Sequence, residues 1–408
     1  MGGELFPLKP LGSLATIYDS MRIPVKKADR KPGPYPYYGA SGIVDYVDSY
    51  IFDGEYLLLA EDGENLRSRN LPIAFMATGK FWVNNHAHIL QGKNKNNTLY
   101  LCYALKVADV ASYLSGSTRP KLTQGDMKRI PVSCPDPDEQ RAIACILGAL
   151  DDKIELNRRI NETLEAMARA IFKSWFVDFL PVRAKAAGDQ TAGGLAPHIA
   201  DLFPDAFEES ELGEIPKGWR VGRLGDIIEI HDSKRIPLSS RERQKRQGPF
   251  PYYGAAGIVD HIDDFLFDGI YVLVGEDGSV VTDTGKPVVQ YVWGKFWVNN
   301  HAHVLKGTGG ISDEQLLLLL QQIYVVPFVT GAVQPKLNQT NMKAIPVVHA
   351  SPRVNQVFGD IVRPVFAKIR AMQDEIETLA ILRDTLLPKL ISGELRVPDA
   401  ERIVGRCV

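Results

Sequence analysis

The sequence predicts an α+β fold built from two similar globular domains with curved sheets, each followed by one long helix. Three observations support this prediction. Long strings recur at a constant spacing along the 408 residues, strand-like runs accompany one helical run in each copy, and an apolar heptad pattern follows both copies. A chain of this length with 45% apolar residues can also bury more than one core. Two domains are therefore expected rather than one.

An internal repeat with a constant offset defines the two domains. The string FWVNNHAH begins at Phe81 and again at Phe296, an offset of 215 residues. Two further pairs keep this offset: GPYPYYGASGIVDYVD at 33–48 with GPFPYYGAAGIVDHID at 248–263, and PKLTQGDMKRIPV at 120–132 with PKLNQTNMKAIPV at 335–347. The copies therefore align without a net insertion from Gly33 to Val132, as expected for one domain fold used twice.

The pattern within each copy is mixed. The run GIVDYVDSYIFDGEYLLLAEDG predicts short strands separated by turns at Asp53-Gly54 and Asp62-Gly63. KFWVNNHAHIL predicts another strand pair around an Asn-Asn turn, and LYLCYALKVADVASYL has the period of a helix. These features favour an α+β domain with a curved sheet.

A long helix is predicted after each copy, because apolar residues recur there at steps of three and four for about four to five heptads. The first seam contains Ile143, Leu147, Leu150, Ile154, Leu164, Ile171 and Trp175, and the second contains Phe358, Val362, Val365, Ile369, Leu379, Leu386 and Leu390. Seams of equal length favour pairing of the two helices within the chain. Two unrelated surface helices, each packed on its own domain, are the alternative. Asn157 and Asn161 also occupy seam positions, where a polar residue weakens packing but can fix register.

These patterns give a set of domain boundaries. The chain divides into a first globular domain at 1–137, its helix at 138–180, a linker at 181–215, a second globular domain at 216–350, its helix at 351–395 and a tail at 396–408. The linker is rich in Gly, Ala, Pro and acidic residues, and a short helix is expected around Ile199 to Phe207. We expect the linker to let the second domain return toward the first.

Composition limits the class of protein. The longest apolar run, LLLLL at 316–320, is far too short to cross a bilayer, and MGGELFPLKP lacks a basic segment leading into an apolar run. The four cysteines are not spaced as a zinc site or a disulfide framework. We therefore expect a cytoplasmic protein. The net charge of −2 leaves the partner open, because a nearly neutral total can hide one basic and one acidic face.

Catalytic motifs are sparse. The sequence has no Gly-rich phosphate loop, serine elbow, HExxH string or Asn-Pro-Pro-aromatic string. A duplicated metal site is an alternative, since each copy places two histidines on one strand face near two acidic residues. The candidate ligands are His86, His88, Glu61 and Asp62 in the first copy and His301, His303, Glu276 and Asp277 in the second. The neighbouring Gly, Asn and Trp are more typical of a turn whose histidines bond to the backbone. We expect no catalytic residue and no metal here.

The two copies differ most in polar segments. These are VKKADRK at 25–31 against SKRIPLSSRERQKRQ at 233–247, NLRSRN at 65–70 against SVVTDT at 279–284, and GSTRPKL at 116–122 against GAVQPKL at 331–337. Arg and Lys bind phosphates, while Arg, Gln and Asn bond to guanine or adenine edges in the major groove. A shared scaffold with variable basic and amide loops favours a pair of readers of different short DNA sequences, although part of these charges would simply be solvated.

The chain resembles the DNA specificity subunit of type I restriction-modification systems over essentially its whole length. The resemblance is carried by LGALDDKIELNRRINETLEAMARAIFKSWFVDFLPVRAK at 147–185, LFPDAFEESELGEIPKGW at 202–219, TLLPKLISGEL at 385–395, and the YYGAxGI and NNHAHxL strings of both copies. The helix and linker strings are very specific, whereas the YYGA string alone is weak. The resemblance implies two target-recognition domains, separated by two long helices packed as an antiparallel intramolecular coiled coil.

The resemblance also implies a non-catalytic subunit of a complex that is an adenine-specific DNA methyltransferase and type I restriction endonuclease. Each recognition domain would read one half of a bipartite double-stranded DNA target. The helix pair would set the half-site spacing and dock two methyltransferase subunits, and restriction translocase subunits would complete the assembly. This chain would hold no cofactor; S-adenosylmethionine, ATP and Mg²⁺ would be bound by partner subunits. Candidate docking residues on the first helix are Asp151, Asp152, Lys153, Glu155, Arg158 and Arg159.

The variable segments supply the candidate DNA contacts. Predicted base contacts are Arg67, Arg69, Ser117, Thr118 and Arg119 in the first domain and Thr282, Thr284 and Gln334 in the second. Predicted phosphate contacts are Lys121 and Lys336, present in both copies, and Arg241, Arg243, Lys245 and Arg246. The repeated FWVNNHAH string is expected to be scaffold, because a reader of two half-sites should vary where it touches bases. The alternatives are a coiled-coil scaffold without a DNA role, a duplicated metal-site protein, and a specificity subunit that supports methylation only.

Overall fold

A computed structural model describes residues 5–116, 119–331 and 333–405 of the chain. The chain divides into two compact units, Met1–Asn157 with Glu375–Val408, and Arg158–Asp374. Each unit contains one globular domain and one part of each long helix. The predicted α+β class and the two-domain organisation are confirmed.

Helices and strands are numbered here in chain order over the described residues. The α-helices are α1 Leu11–Leu14, α2 Asn65–Ser68, α3 Thr98–Val107, α4 Gln124–Arg129, α5 Pro137–Phe176, α6 Leu180–Ala186, α7 Pro197–Ala200, α8 Ser240–Lys245, α9 Asp313–Leu320, α10 Gln339–Lys343, α11 Pro352–Ser392 and α12 Val397–Val404. The strands of the first unit are β1 Leu8–Pro10, β2 Ala15–Ile17, β3 Tyr35–Gly39, β4 Gly42–Val47, β5 Phe52–Ala60, β6 Ala74–Val83, β7 Ala87–Gly92 and β8 Pro131–Ser133. Those of the second unit are β9 Phe207–Ser210, β10 Gly213–Pro216, β11 Arg220–Arg223, β12 Ile228–Ile230, β13 Gln247–Tyr253, β14 Ile258–Ile262, β15 Phe267–Asp268, β16 Tyr271–Gly275, β17 Val289–Val292, β18 Lys295–Val298, β19 Ala302–Gly307 and β20 Pro346–His349.

A six-stranded sheet in the order β2-β7-β5-β6-β3-β4 forms the first domain. Its central strand β5 ends in a continuous apolar run, because both of its faces are covered. Leu57 and Leu59 belong to the core that also contains α3, and Leu58 packs with Phe52 and Phe81 in a second cluster. The end of β5 is therefore fixed firmly, and the Asp62-Gly63 turn follows it directly.

The second domain repeats this arrangement with two four-stranded sheets, β12-β19-β16-β17 and β14-β13-β18-β15. Antiparallel and parallel pairs recur at equivalent places: β3 runs parallel to β6 through Tyr37 and Trp82, and β13 runs parallel to β18 through Tyr252 and Trp297. The register of the β3–β4 and β13–β14 pairs shifts at the residue after each tyrosine. Such bulges bend a strand and increase its twist, in keeping with the predicted curvature.

The long helices α5 and α11 contain 40 and 41 residues. In the first unit, the beginning of α5 packs on the end of α11. Arg383 Nη1 lies 2.7 Å from Asp151 Oδ1, and Asn157 Nδ2 donates to Glu375 Oε2 at 2.9 Å. Asn157 is fully buried in this seam.

In the second unit, the end of α5 packs on the beginning of α11. Asn161 Nδ2 donates to the carbonyl of Ile369 at 3.3 Å, and the rings of Phe172 and Phe358 lie 5.8 Å apart. In both units, as residue numbers rise along α5, the numbers of the α11 residues that it contacts fall. The predicted antiparallel pairing is confirmed, and the alternative of two unrelated surface helices is wrong.

The segment between α5 and β11 contains short helices and the β9–β10 hairpin. A helical turn occurs at Pro197–Ala200, slightly before the expected position, because proline is favoured in the first turn of a helix and Pro204 limits continuation. The domain boundaries given above stay predictions. None of the helices in the described parts of the chain combines the length and the apolar content that a membrane span requires.

Candidate nucleic-acid interface

Two equivalent loops carry the most variable of the predicted contacts, and we call residues 115–121 and 330–336 the tip loops. Each tip loop is closed by a pair of backbone hydrogen bonds. Ser115 and Lys121 exchange N–H···O bonds of 2.8 and 2.8 Å, and Thr330 and Lys336 exchange bonds of 2.8 and 2.7 Å. The two tip loops are therefore closed by the same pair of backbone bonds.

A glycine fixes the conformation of each tip loop. Gly116 has φ +84° and Gly331 has φ +88°, a region that L side chains rarely adopt. A Cβ atom at these positions would lie 2.4 Å from the carbonyl oxygen of Arg119 and 2.2 Å from that of Gln334. Any larger residue would force the loop open, so the glycine is a requirement of this backbone path.

Each tip loop is anchored on the acidic turn that follows a central strand. In the first domain, Gly63 N donates to Pro120 O at 3.0 Å and Leu122 N donates to Glu61 O at 2.7 Å. The second domain has the same two bonds, from Gly278 to Pro335 at 3.1 Å and from Leu337 to Glu276 at 2.9 Å. The acidic side chains of the turns consequently lie beside the variable side chains of the loops.

The acidic turns bind the predicted contact residues directly. Arg119 Nη2 donates to Asp62 Oδ1 at 2.9 Å, and Gln334 Nε2 donates to Asp277 Oδ1 at 2.6 Å. The Arg119 side chain remains 66% exposed.

The two predicted phosphate-binding lysines occupy equivalent places on the same loops. Lys121 Nζ lies 3.4 Å from Glu61 Oε1, and Lys336 Nζ lies 3.8 Å from Glu276 Oε1. About half of each lysine side chain is exposed. Both ammonium groups can therefore reach a polyanion without leaving the loop.

A buried network of acid, histidine and arginine supports each tip loop from below. In the first domain, His88 Nδ1 lies 2.6 Å from Asp19 Oδ2, and its Nε2 lies 2.8 Å from the carbonyl of Leu122. Arg22 Nη1 links this pair to Glu61 at 2.5 Å. Because Leu122 directly follows the tip loop, the histidine ties the end of the loop to the sheet.

The second domain contains the same network. His303 Nδ1 lies 2.6 Å from Asp232 Oδ2 and its Nε2 lies 2.7 Å from the carbonyl of Leu337. Arg235 Nη1 lies 2.7 Å from Glu276 Oε2. These hydrogen bonds tie His88 and His303 to the backbone carbonyl that follows each tip loop and to a buried aspartate.

The remainder of the FWVNNHAH string is also occupied with internal contacts. The indole N–H groups of Trp82 and Trp297 donate to backbone carbonyls at 2.6 Å in both domains. Asn84 accepts the backbone N–H of His86 at 2.8 Å, and the equivalent bond in the second domain has the same length. Repetition of the string therefore follows from repetition of the fold.

The duplicated metal site gains no support from this geometry. Asp232, Glu276 and His303 bring one potential ligand atom each within 4.8 Å of one another. However, the Arg235 guanidinium binds both carboxylates, at 3.2 Å from Asp232 and 2.7 Å from Glu276. Both nitrogens of the His303 ring already face oxygen atoms, at 2.6 and 2.7 Å, so a cation would have to displace one of these contacts.

Other predicted base contacts in the first domain bind backbone carbonyls. Arg67 Nη2 donates to Gly116 O at 2.9 Å and so braces the tip loop. Arg69 donates to the carbonyls of Lys106 and Ala108 at 3.0 and 2.6 Å, where helix α3 ends. Cations are favoured at helix C-termini because carbonyls there lack partners. Ser117 and Thr118 lie outside the described residues.

In the second domain, Thr282 and Thr284 lie on a separate turn. Their hydroxyl oxygens are 3.1 Å apart, and Thr282 Oγ1 also accepts the backbone N–H of Lys286. Both residues are exposed.

Arg243 of α8 and Arg246, which directly follows this helix, bind aspartates at the β13–β14 hairpin. Arg243 Nε lies 2.9 Å from Asp260, and the Arg246 guanidinium lies 2.9 Å from Asp263. Arg241 and Lys245 are exposed on the same helix. These four residues form a group distinct from the tip loop.

Sequence reasoning missed the Asp19–Arg22 and Asp232–Arg235 pairs. They belong to the strings IYDSMRIP at 17–24 and IHDSKRIP at 230–237, which are offset by 213 residues instead of 215. The small length difference before Gly33 hid them from a comparison made at a single offset. A search that allowed a gap would have found both strings.

Comparison with known proteins identifies the fold and family. The family described as "Type I restriction modification DNA specificity domain" matches residues 5–166 and 216–380. The chain belongs to the family of type I restriction-modification DNA specificity subunits. Two copies of the domain in one chain correspond to bipartite DNA recognition, with one domain for each half of the target. The predicted specificity subunit is thus confirmed, and the protein is a non-catalytic component of an enzyme complex.

Relatives resemble this specificity subunit over most of its length. It is 28% identical to the type I restriction enzyme MjaIX specificity subunit of Methanocaldococcus jannaschii, over 90% of this chain and 88% of the relative. It is 27% identical to the HindI specificity subunit of Haemophilus influenzae, over 70% and 73%. The crystal structure of a type I S subunit from M. genitalium has the same fold, with a TM-score of 0.63, 18% identity and coverage of 95% and 96%.

Proposed function

We propose that the two tip loops are the main base-reading elements of this specificity subunit. One observation carries the proposal. The loops share their closing hydrogen bonds, their glycine and their acidic anchor, yet differ in the side chain presented at positions 119 and 334. A common frame with a variable side chain is what two readers of different half-sites require.

In this proposal, the other predicted contact residues bind phosphates, hold the loop backbone or contact the DNA beside the loops. Lys121 and Lys336 bind phosphates next to the bases that are read, and the basic residues of α8 add non-specific affinity in the second half-site. Arg67 and Arg69 hold the first tip loop and the end of α3, so their effect on base choice passes through the backbone. The exposed Thr282 and Thr284 contact the DNA beside the second loop.

Partners and cofactors complete the proposal. The specificity subunit binds two methyltransferase subunits through the long helices, whose separation of the domains sets the half-site spacing, and restriction subunits join this assembly. S-adenosylmethionine is used by the methyltransferase subunits to methylate adenine, and ATP and Mg²⁺ by the restriction subunits. The complex acts on double-stranded DNA in the cytoplasm. Support comes from the family assignment and from charged residues that are exposed on α5, such as Asp152 and Arg158.

Modified-base sequencing tests this function. The chain is coexpressed with its methyltransferase subunit in a host that lacks such methylation, and the methylated motif is determined. A split motif with methyladenine in each half is expected, and exchange of residues 1–137 for another such domain should change one half alone. Absence of new methylation from a stable complex would contradict the proposal and favour a scaffold without DNA specificity.

A further inference from the structure

The equivalent positions 119 and 334 carry different side chains on the same acidic partner. Arg119 is bound to Asp62 and Gln334 to Asp277, at the same point of the same loop. Arg and Gln are the side chains that bond bidentately to guanine and to adenine, respectively, in the major groove. An aspartate occupies this place in both domains, although the side chain that it binds is a cation in the first domain and a neutral amide in the second.

We propose that Arg119 reads a guanine in one half-site, that Gln334 reads an adenine in the other, and that Asp62 and Asp277 position these two side chains. The inference rests on the proposed function, because it requires that the tip loops enter the major groove. It adds the identity of the bases and a role for the acidic turn.

The contact with Asp277 decides which way the Gln334 amide points. An ionised carboxylate only accepts hydrogen bonds, so the NH₂ group must face Asp277 and the amide oxygen must face away. One N–H of Nε2 is used at 2.6 Å by the acid. The second N–H and the oxygen remain, which are the donor and acceptor that adenine N7 and N6 require.

Arg119 likewise keeps hydrogen-bonding groups that the contact with its aspartate does not use. The guanidinium carries five N–H groups, of which the contact with Asp62 uses one. Two further N–H groups along one edge of the fork match the O6 and N7 acceptors of guanine. The Arg119 side chain is 66% exposed, so this edge is open to a ligand.

An ordinary surface salt bridge would explain Arg119 but not Gln334. An exposed ion pair contributes only about 0–1 kcal/mol and sets no requirement on its neighbours. Here the loop backbone is fixed by a glycine with positive φ in both domains. Next to Gln334, the Val333 side chain is 99% exposed, so this side chain stands clear of its own domain. Each tip loop therefore holds the side chain at position 119 or 334 where a ligand outside the domain can contact it.

Reciprocal substitutions test the base assignment in the complete complex with its methyltransferase subunits. For R119Q, modified-base sequencing should show that one G·C pair in one half-site becomes A·T or loses its discrimination, with the other half unchanged. Q334R should produce the converse change in the other half. Arg129→Gln is the matched control, since Arg129 is an exposed arginine of the first domain that pairs with Asp126 on α4. It should leave both halves unchanged.

Base analogues give a second measurement on purified complex, which does not depend on catalysis. Replacing the guanine by 7-deazaguanine removes the N7 acceptor and should weaken binding of the unmodified protein. A whole bidentate contact contributes about 1–3 kcal/mol, or roughly 5- to 150-fold in affinity, and removing one of its two hydrogen bonds should cost part of this. R119Q should bind the two duplexes equally, and 7-deazaadenine should give the same pattern with Gln334. Equal sensitivity in protein with and without the substitution would overturn the assignment.

The positioning role is tested at Asp62. D62A should lose discrimination at the same base pair as R119Q, whereas D62N should retain most of it because its amide oxygen still accepts from Arg119. D62A with unchanged discrimination would refute the positioning role. A split motif without guanine in the first half would refute the assignment of Arg119 while leaving the proposed function intact. Absence of any split motif would instead refute the proposed function.

Discussion

Replacing His88 with leucine tests whether the buried network holds the first tip loop in place. The His88 side chain is 1% exposed and binds Asp19 and the carbonyl of Leu122 through its two nitrogens. Leucine provides no donor, so the buried carboxylate loses its charge-assisted partner and the carbonyl loses its only side-chain donor among the described residues. Both groups remain out of contact with water, which is why the change is costly.

The expected cost follows from the contacts that remain. Removing the hydrogen-bond partner of a buried charge costs about 3–5 kcal/mol, because that charge stays buried. Asp19 keeps hydrogen bonds from Ile89 N and Gln124 Nε2 and an ion pair with Arg22 at 3.5 Å. We therefore expect the lower end, about 3 kcal/mol of local stability. This corresponds to roughly a hundredfold change in an opening equilibrium.

Hydrogen exchange followed by mass spectrometry measures this effect in the full chain. In H88L, amides of β7 and of residues 119–130 should exchange roughly a hundredfold faster, while the second unit keeps its protection. H303L is the matched control, and it should speed exchange in the second unit while the first unit keeps its protection. Adding D19N to H88L should recover part of the loss, because the carboxylate charge that has lost its imidazole partner is then removed. Less than a fivefold change in the first unit, or equal changes in both units, would refute the argument.

Three further outcomes follow from the same contacts. Burial opposes ionisation of Asp19, but the hydrogen bond and charge of His88, with further donors, outweigh it and lower its pKa below the ordinary 3.8. The stability that ionised Asp19 contributes is therefore present above pH 3.8 and is lost as the pH falls through the lower pKa of the folded state. Urea unfolding midpoints measured from pH 5 downward should show this loss, and D19N should abolish this pH dependence. Gly331→Ala should strain the second tip loop by about 1–3 kcal/mol and relax base choice in one half-site only, as measured by motif sequencing; an unchanged motif would count against the glycine requirement. Lys121→Gln should weaken binding to all sequences and reduce the salt dependence of log K by about 0.9, whereas loss confined to one sequence would identify Lys121 as a base contact.

Periodicity and repetition made much of the fold predictable from sequence. The 215-residue offset located both domains, and the heptad seams predicted two helices of about 40 residues that pair within the chain. Apolar runs and Asp-Gly turns located β5 and the acidic turn that follows it. These signals are local or repeated, so a single sequence contains enough information to find them.

The partners of charged side chains were less predictable. Arg69 and Arg119 belong to variable basic segments, yet one binds carbonyls at the end of α3 and the other binds Asp62. The difference depends on which elements the fold brings together, and residue type does not encode it. Glu61 and Glu276 were considered only as metal ligands, because their arginine partners, Arg22 and Arg235, lay outside the region aligned at one offset.

The division between repeated and variable residues explains how such a subunit can change its target. The bonds that close the tip loops, the glycines and the buried histidine pairs recur in both domains, so the loop backbone does not depend on which side chain stands at 119 or 334. Those side chains lie on the surface and contribute little to stability, since surface substitutions usually change it by less than about 0.5 kcal/mol. A change of base preference at this position therefore requires no adjustment of the core, and the two domains can diverge in specificity while keeping one fold.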